Sequence, residues 1–247
     1  MSTDEAPSEV SGGPAGAWPE PQPGARGLPV VLALSGCRCL VVGGGRVGAR
    51  RAGELAASGA RVTVVAPDLD PALVEGHVDA VECLARPYRR GEASSYRLVV
   101  AATGDREVDR AVVTDALAAG VLVAGADGAV PGNLSLPAVH HDGGVTLAVS
   151  TGGASPALAV WLRTRLAAAL PQGTATLAEL ASEARETLRR AGTPTGSVDW
   201  GALFDEVAPL VSAGRVAEAR ALVLARCAAV TPGEEGGGAG DSVGSGG

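Results

Sequence analysis

The chain has 247 residues, enough for one large domain or two modest domains with cores of their own. Its formal net charge of −7 at pH 7 argues against general nucleic-acid binding, which needs a basic surface. Hydrophobic residues make up 46% of the chain but aromatic residues only 2%, so the core must consist of small aliphatic side chains, which suit helices packed on a parallel sheet.

Both ends of the chain are rich in Gly, Pro, Ser and Glu, and residues 1–26 and 231–247 are expected to be disordered. The first residues lack the apolar segment of a secretory signal, and no apolar stretch approaches the roughly 20 residues that span a bilayer. The four cysteines are scattered, which predicts buried, unreactive thiols in a reducing compartment. Together these features predict a cytoplasmic protein without a membrane partner.

Between the two ends, short β-branched runs alternate with Ala- and Leu-rich segments. The predicted strands are 38–43, 61–66, 80–84, 97–102, 121–125 and 145–150. The predicted helices among and after them are 46–58, 106–119 and 156–169. This alternation, with almost continuously apolar strands, is typical of a parallel sheet covered by helices on both faces. We therefore predict an α/β fold, a Rossmann-type doubly wound parallel sheet, over residues 27–150.

The strand pattern ends at Pro171, and the rest is helical by composition and spacing. The predicted helices here are 174–191, 198–212 and 215–228. They indicate a small helical domain over 151–230, on the substrate side of the protein. Apolar residues such as Leu203, Phe204 and Leu210 indicate either dimerisation through this domain or packing back onto the sheet.

A glycine-rich turn follows the first predicted strand and opens a helix. Gly43, Gly45 and Gly48 fit the G-x-G-x-x-G pattern, in which the glycines allow a tight turn, close approach of a pyrophosphate and close packing of helix on strand. The start of the helix offers free N–H groups and a positive dipole end to phosphate. Asp68 follows the second strand, 20 residues beyond Gly48, where an acidic residue binds the ribose hydroxyls of NAD. These residues predict dinucleotide binding, with NAD favoured over NADP.

Three further segments carry polar residues suited to a site. The strand end AATGD, which contains Thr103, is expected to border the nicotinamide half of the cofactor, and a loop centred on Asp127 follows it. A second Gly/Ser/Thr-rich turn spans 150–156, where Ser155 suits a helix N-cap and Pro156 the first helical position.

The motifs together resemble the precorrin-2 dehydrogenase family, the module found alone or at the N-terminus of siroheme synthases. The most specific matches are VVGGGRVGARR at 41–51, LVVAATGD at 98–105 and AVSTGGASPALA at 148–159. The resemblance runs from about residue 28 to 171, and more loosely to about 228. It implies NAD-dependent oxidation of precorrin-2 to sirohydrochlorin in siroheme biosynthesis, and some members of the family also act as ferrochelatases. The apolar residues of the helical segment make a homodimer the expected assembly.

The resemblance also implies roles for individual residues. Asp127 precedes the Pro137-Ala138 step by ten residues, as the family's essential aspartate does, and would act as the catalytic base. The family's cofactor contacts are Arg46, Val47, Pro67 and Asp68 in this chain, beside the glycines and Thr103. The polycarboxylate substrate would be bound by the second turn and the helix after it, through Thr151, Gly152, Gly153, Ser155 and Arg163.

The chain departs from the family pattern at three positions. Ala124 replaces an asparagine, Asp142 stands in place of an arginine, and Val160 replaces the arginine of the Ser-Pro helix. The lost positive charges weaken the expected anchoring of an anionic substrate, so iron insertion is less expected than dehydrogenation. His140 and His141 are adjacent, and we interpret them as part of a turn rather than as metal ligands.

One alternative from another class remains. A nucleotide-sensing regulatory domain of the potassium-transport type also combines a glycine turn, an acidic end of the second strand and an AATGD strand end. The Ser-Thr-Gly-Gly-x-Ser-Pro turn at 150–156 is the feature that such domains lack.

Overall fold

The computed structural model describes residues 27–75, 80–126 and 130–230. They form two compact units. The first contains the described residues up to 137 together with 150–156, and the second contains 138–149 and the described residues from 157 onward. No helix in these ranges is both long and apolar enough to cross a bilayer.

The first unit is built on a five-stranded parallel sheet. Its strands are β1 Arg38–Val42, β2 Arg61–Ala66, β3 Val81–Ala85, β4 Leu98–Ala101 and β5 Leu122–Gly125. Its helices are α1 Arg46–Ala57, α2 Pro71–Glu75 and α3 Arg106–Ala118, with a 3-10 turn at Glu92–Ser95. The spatial order β3-β2-β1-β4-β5 confirms the predicted Rossmann-type sheet.

Helices pack on both faces of this sheet, because successive side chains of each strand alternate between the faces. Leu40 of β1 joins a core cluster with Val112 of α3. Val41, its neighbour in the strand, joins a second cluster with Ala52 of α1. The small side chains of the helices allow the close approach to the sheet that the composition predicted.

The segment after β5 completes the hydrogen bonding of that strand. The side-chain oxygen of Asn133 accepts a hydrogen bond from Val123 N–H at 2.7 Å, and the Asn133 amide donates to the Val121 carbonyl at 3.1 Å. The Leu134 N–H donates to the Val123 carbonyl at 3.1 Å. One side-chain amide thus takes the place of a peptide group beside β5.

Two predictions for residues 138–150 were wrong. These residues form a separate antiparallel hairpin, β6 Ala138–Asp142 and β7 Val145–Val149, rather than a further strand of the parallel sheet. His140 and His141 lie in β6, not in a turn. His141 pairs with Thr146 across the hairpin, with 3.0 Å between His141 Nδ1 and Thr146 Oγ1.

The second unit adds four helices. They are α4 Pro156–Ala169, which starts at the end of the first unit, α5 Thr174–Arg190, α6 Trp200–Ser212 and α7 Val216–Val230. Helices α5, α6 and α7 share one hydrophobic cluster. Leu203 is buried in this cluster and Leu210 packs against it, so both residues contact neighbouring helices. Phe204 stays partly exposed beside Trp200.

The cysteines are only partly as expected. Cys39 and Cys227 are buried, whereas Cys37 and Cys83 are partly exposed, and all four are free thiols. Burial raises the pKa of Cys39 to about 11, so its reactive thiolate form is scarce at neutral pH.

Candidate dinucleotide-binding site

The site lies at the carboxyl edge of the parallel sheet, between β1 and β4. The chain leaves β1 toward β2 on one side and reaches β4 on the other, so this is the point where the strand order reverses. Open α/β sheets bind ligands outside the carboxyl ends of the strands at such a point. The glycine turn after β1 and the turn containing Thr103 after β4 therefore both border the expected position of a cofactor.

Two of the predicted glycines are required by close backbone contacts. Gly43 has φ +120°, and a Cβ on it would lie 2.2 Å from the Ala102 carbonyl oxygen and 2.8 Å from Thr103 N. A Cβ on Gly48 would lie 1.9 Å from the Gly43 carbonyl oxygen. Gly43 thus fits the turn against the end of β4, and Gly48 brings α1 against the turn.

Gly44, which the sequence analysis did not single out, is equally restricted. A Cβ there would lie 2.2 Å from the Asp68 carbonyl oxygen, and the Asp70 N–H donates to the Gly44 carbonyl at 2.7 Å. These contacts fix the loop after β2 against the glycine turn. The sequence signal was present in the uninterrupted Gly43-Gly44-Gly45 run.

Gly45 differs from its neighbours because the protein leaves space beside it. It is the N-cap of α1, and a Cβ on it would meet nothing within 4 Å. The first turn of α1 contains no acidic side chain, and no side chain caps it. An open glycine in front of a helix start fits the pyrophosphate of a dinucleotide, which needs close approach to these N–H groups.

We expect Gly45→Ala to weaken NAD binding by more than tenfold while leaving the folded protein almost as stable, within about 1 kcal/mol. The added methyl group occupies space that the pyrophosphate needs and meets no protein atom. Calorimetric titration with NAD, together with thermal unfolding, measures both effects. A variant that binds NAD as tightly as the wild type would show that the phosphate does not approach Gly45.

The other predicted cofactor residues surround this turn. Arg46 and Val47 begin α1 with exposed side chains, and Val47 is 44% exposed although it is apolar. Pro67 and Asp68 follow β2, and both are exposed. All four are therefore accessible at the carboxyl edge of the sheet.

Thr103 lies in a tightly bonded turn between β4 and α3. Its N–H and hydroxyl both donate to Asp109 Oδ1, at 3.1 and 2.7 Å, and its hydroxyl oxygen accepts from the Asp105 N–H at 3.0 Å. Asp105 caps α3 by accepting from the N–H groups of Glu107 and Val108. The position of Thr103 is thus fixed by the Asp109 side chain of α3 and by the backbone of Asp105.

Asp127, the predicted catalytic base, falls outside the described residues. Ala126 and Val130, which flank residues 127–129, are described. The Ala126 N–H donates to the Ala101 carbonyl at 2.8 Å, and the Val130 carbonyl oxygen would lie 2.1 Å from a Cβ on Gly125. In the sequence, Asp127 follows two residues after the end of β5, the strand next to β4.

The predicted substrate-binding turn at 150–156 is held by Thr151. The Thr151 hydroxyl donates to the Ser155 carbonyl and accepts from the Ser155 N–H, both at 3.1 Å. Gly152 and Gly153 have φ of +62° and +85°, and a Cβ on either would meet nothing within 4 Å. Helix α4 starts at Pro156, which confirms the predicted helix start. The backbone of the two glycines is thus accessible, in a loop whose ends are held together by the Thr151–Ser155 hydrogen bonds.

Arg163 lies on α4 with its side chain partly buried, and its Nε has no hydrogen-bond partner among the described residues. Val160, on the same helix, is 47% exposed. Ala124 is buried in β5, and Asp142 ends β6. The three departures from the family pattern thus lie on three different elements.

Comparison with known sequence families gives two consecutive matches. A family described as putative NAD(P)-binding matches residues 30–138, and one described as sirohaem biosynthesis protein central matches residues 142–169. The first match contains the glycine turn, and the second contains the Ser-Pro turn and α4.

Several siroheme synthases are similar in sequence. That of Methylococcus capsulatus is 39% identical over 165 residues, which cover 66% of this chain and 35% of that protein. Siroheme synthase 1 of Halorhodospira halophila is 38% identical over 205 residues, which cover 79% of this chain and 42% of that protein. The chain thus spans less than half the length of these relatives.

A solved structure of SirC, a precorrin-2 dehydrogenase, has the same fold. It superposes with a TM-score of 0.62 at 23% sequence identity and covers 82% of this chain and 99% of its own.

The sheet order, the glycine turn and the open start of α1 define a Rossmann-type NAD(P)-binding protein. Within that class, the matches over 30–138 and 142–169 and the siroheme synthase relatives confirm the resemblance that the motifs predicted. The chain thus joins an NAD(P)-binding region to a sirohaem-biosynthesis central region, and it is similar to siroheme synthases over less than half of their length.

Proposed function

We propose that this protein oxidises precorrin-2 to sirohydrochlorin with NAD as the hydride acceptor. The observation that carries the proposal is the presence, in one chain, of the NAD(P)-binding match at 30–138 and the siroheme-biosynthesis match at 142–169. The second match also disfavours the alternative of a nucleotide-sensing regulatory domain, because it contains the Ser-Pro turn at 150–156 that such domains lack.

Each group of site residues has a separate role in the proposed reaction. The N–H groups at the start of α1 bind the pyrophosphate beside Gly45, and Asp68 accepts hydrogen bonds from the ribose hydroxyls. When bound, NAD accepts a hydride from a C–H bond of the macrocycle. Asp127 takes the proton that leaves as the new double bond forms. The turn at 151–155 and Arg163 bind carboxylates of the substrate.

The test is turnover by the wild-type protein. Under anaerobic conditions, we expect precorrin-2 and NAD to yield sirohydrochlorin and NADH in equal amounts, followed by their absorbance spectra. Reactions without enzyme and without NAD are the controls. Protein that binds NAD but leaves precorrin-2 unoxidised would refute the proposal. Iron insertion is not part of it, because Asp142 and Val160 stand where the family has positive charges.

Helix α4 supports the further proposal of a homodimer. Of its described residues only Ala159 is buried, whereas Trp161 is 55% exposed and Leu166 47%. A helix with large apolar side chains in water is typical of a surface that another protein covers. The second unit would then serve for dimerisation, whereas the first unit contains both the glycine turn for the cofactor and the turn at 150–156.

We expect Trp161→Glu to convert the dimer into a monomer, because a charge would be buried in the interface. Sedimentation equilibrium of wild type and variant measures the change. Val216→Glu is the matched control, since Val216 is an exposed apolar residue on α7 of the same unit and should leave the dimer intact. A wild-type protein that is monomeric at micromolar concentration would contradict the proposal.

A cytoplasmic location belongs to the same proposal. All four cysteines are free thiols, as expected in a reducing compartment. A fluorescent fusion expressed in a bacterial host would test it by its distribution in the cell.

A further inference from the structure

Asp109 is a buried acidic residue beside the candidate site, and the proposed reaction does not use it. It lies in the first turn of α3 and is only 5% exposed. Both of its hydrogen-bond donors belong to Thr103. Within the described ranges, no Lys, Arg or His forms an ion pair with it. Its carboxylate therefore accepts hydrogen bonds from Thr103 without a cationic partner within 4.0 Å in the described residues, and it lies at the positive end of the α3 dipole.

Thr103 connects this carboxylate to the glycine turn. The Thr103 nitrogen that donates to Asp109 lies 2.8 Å from the position of a Cβ on Gly43. The same peptide therefore contacts the glycine turn on one side and Asp109 on the other. Because β1 and β4 flank the point where the strand order reverses, Asp109 lies one hydrogen bond away from backbone that borders the ligand crevice.

A fixed negative charge at this place distinguishes the two forms of the cofactor. The nicotinamide ring carries a positive charge in NAD⁺ and none in NADH, while the rest of the molecule is the same. Charge interactions over short distances are strong where water is excluded. We propose that Asp109 is a positioning residue that fixes Thr103 and, through its negative charge, favours binding of NAD⁺ over NADH.

This inference rests on the proposed function. It gives a physical reason why NADH would leave the site and NAD⁺ would replace it. A site that prefers the oxidised form releases the reduced form after each turnover. The carboxylate neither contacts the reacting atoms nor takes up a proton in this account.

The test compares the dissociation constants of NAD⁺ and NADH, measured by calorimetry, without any tetrapyrrole. Asp109→Asn keeps an acceptor oxygen for Thr103 but removes the charge. We expect the preference for NAD⁺ over NADH to fall about three- to tenfold in this variant, mainly through weaker NAD⁺ binding. Asp109→Ala also removes the acceptor, and we expect it to weaken binding of both forms.

Glu107→Gln is the matched control, since it removes an exposed carboxylate from the same turn of α3 and should leave the ratio unchanged. Thermal unfolding checks that each variant is folded. An unchanged ratio in folded Asp109→Asn would overturn the inference while leaving the proposed function intact. A wild-type protein that binds neither cofactor form would overturn both, and one that binds both forms but does not oxidise precorrin-2 would overturn only the proposed reaction.

Discussion

Gly48→Ala is expected to abolish measurable NAD binding and to destabilise the first unit by about 3 kcal/mol, at the upper end of the cost of overpacking. The new Cβ would lie 1.9 Å from the Gly43 carbonyl oxygen, which is backbone and cannot rotate away as a side chain does. Helix α1 must therefore move off the glycine turn, and the N–H groups that face the pyrophosphate move with it. Urea unfolding and calorimetric titration with NAD measure the two losses.

Gly53→Ala is the matched control for this variant. Gly53 lies in the same helix, but a Cβ on it would meet nothing within 4 Å. Alanine is about 1 kcal/mol more favourable than glycine inside a helix, so this variant should be as stable as the wild type or more stable. A Gly48→Ala protein that unfolds at the same urea concentration as Gly53→Ala would contradict the close packing of helix and turn.

Asp127→Asn is expected to lower kcat for precorrin-2 oxidation at least a hundredfold, with the dissociation constant of NAD nearly unchanged. An amide of the same size cannot accept the proton, and the loss of a general base costs about 10² to 10⁴ in rate. Steady-state kinetics with precorrin-2, combined with NAD titration, separate the chemical step from cofactor binding.

Asp205→Asn provides the comparison, because it removes an exposed carboxylate from α6, in the other unit. Its kcat should match that of the wild type. If Asp127→Asn keeps wild-type kcat, the proton leaves by another route and Asp127 has no catalytic role.

The parallel sheet could be predicted from the sequence because each of its strands is a short apolar run bounded by glycine or polar residues. β2 coincides with its prediction over 61–66, and the bounds of the other four strands differ by one residue at one or both ends. The hairpin could not be predicted in the same way. β6 has the sequence AVHHD, whose polar residues are also typical of a turn. Its partner β7, VTLAV, has the apolar composition of a strand of the parallel sheet.

The site residues could be predicted where their role depends only on neighbouring residues in the sequence. Gly43, Gly45 and Gly48 follow a spacing that a single turn imposes, and Pro156 marks a helix start by itself. Gly44 and Asp109 were missed because their roles depend on contacts with other segments, Gly44 with the loop after β2 and Asp109 with the end of β4. Leu203 was misjudged for a similar reason, since only the packing of α5 and α7 shows what covers it.

The Asn133 side chain also affects how copies of this protein behave at high concentration. The outermost strand of an open sheet offers unpaired N–H and C=O groups to any other extended chain, which promotes aggregation. The Asn133 side chain hydrogen-bonds to the N–H of Val123 and to the C=O of Val121. The Leu134 N–H donates to the C=O of Val123. This part of β5 therefore has no free backbone N–H or C=O groups with which another extended chain could pair. The sheet edge is thus protected here by a side-chain amide rather than by a further strand.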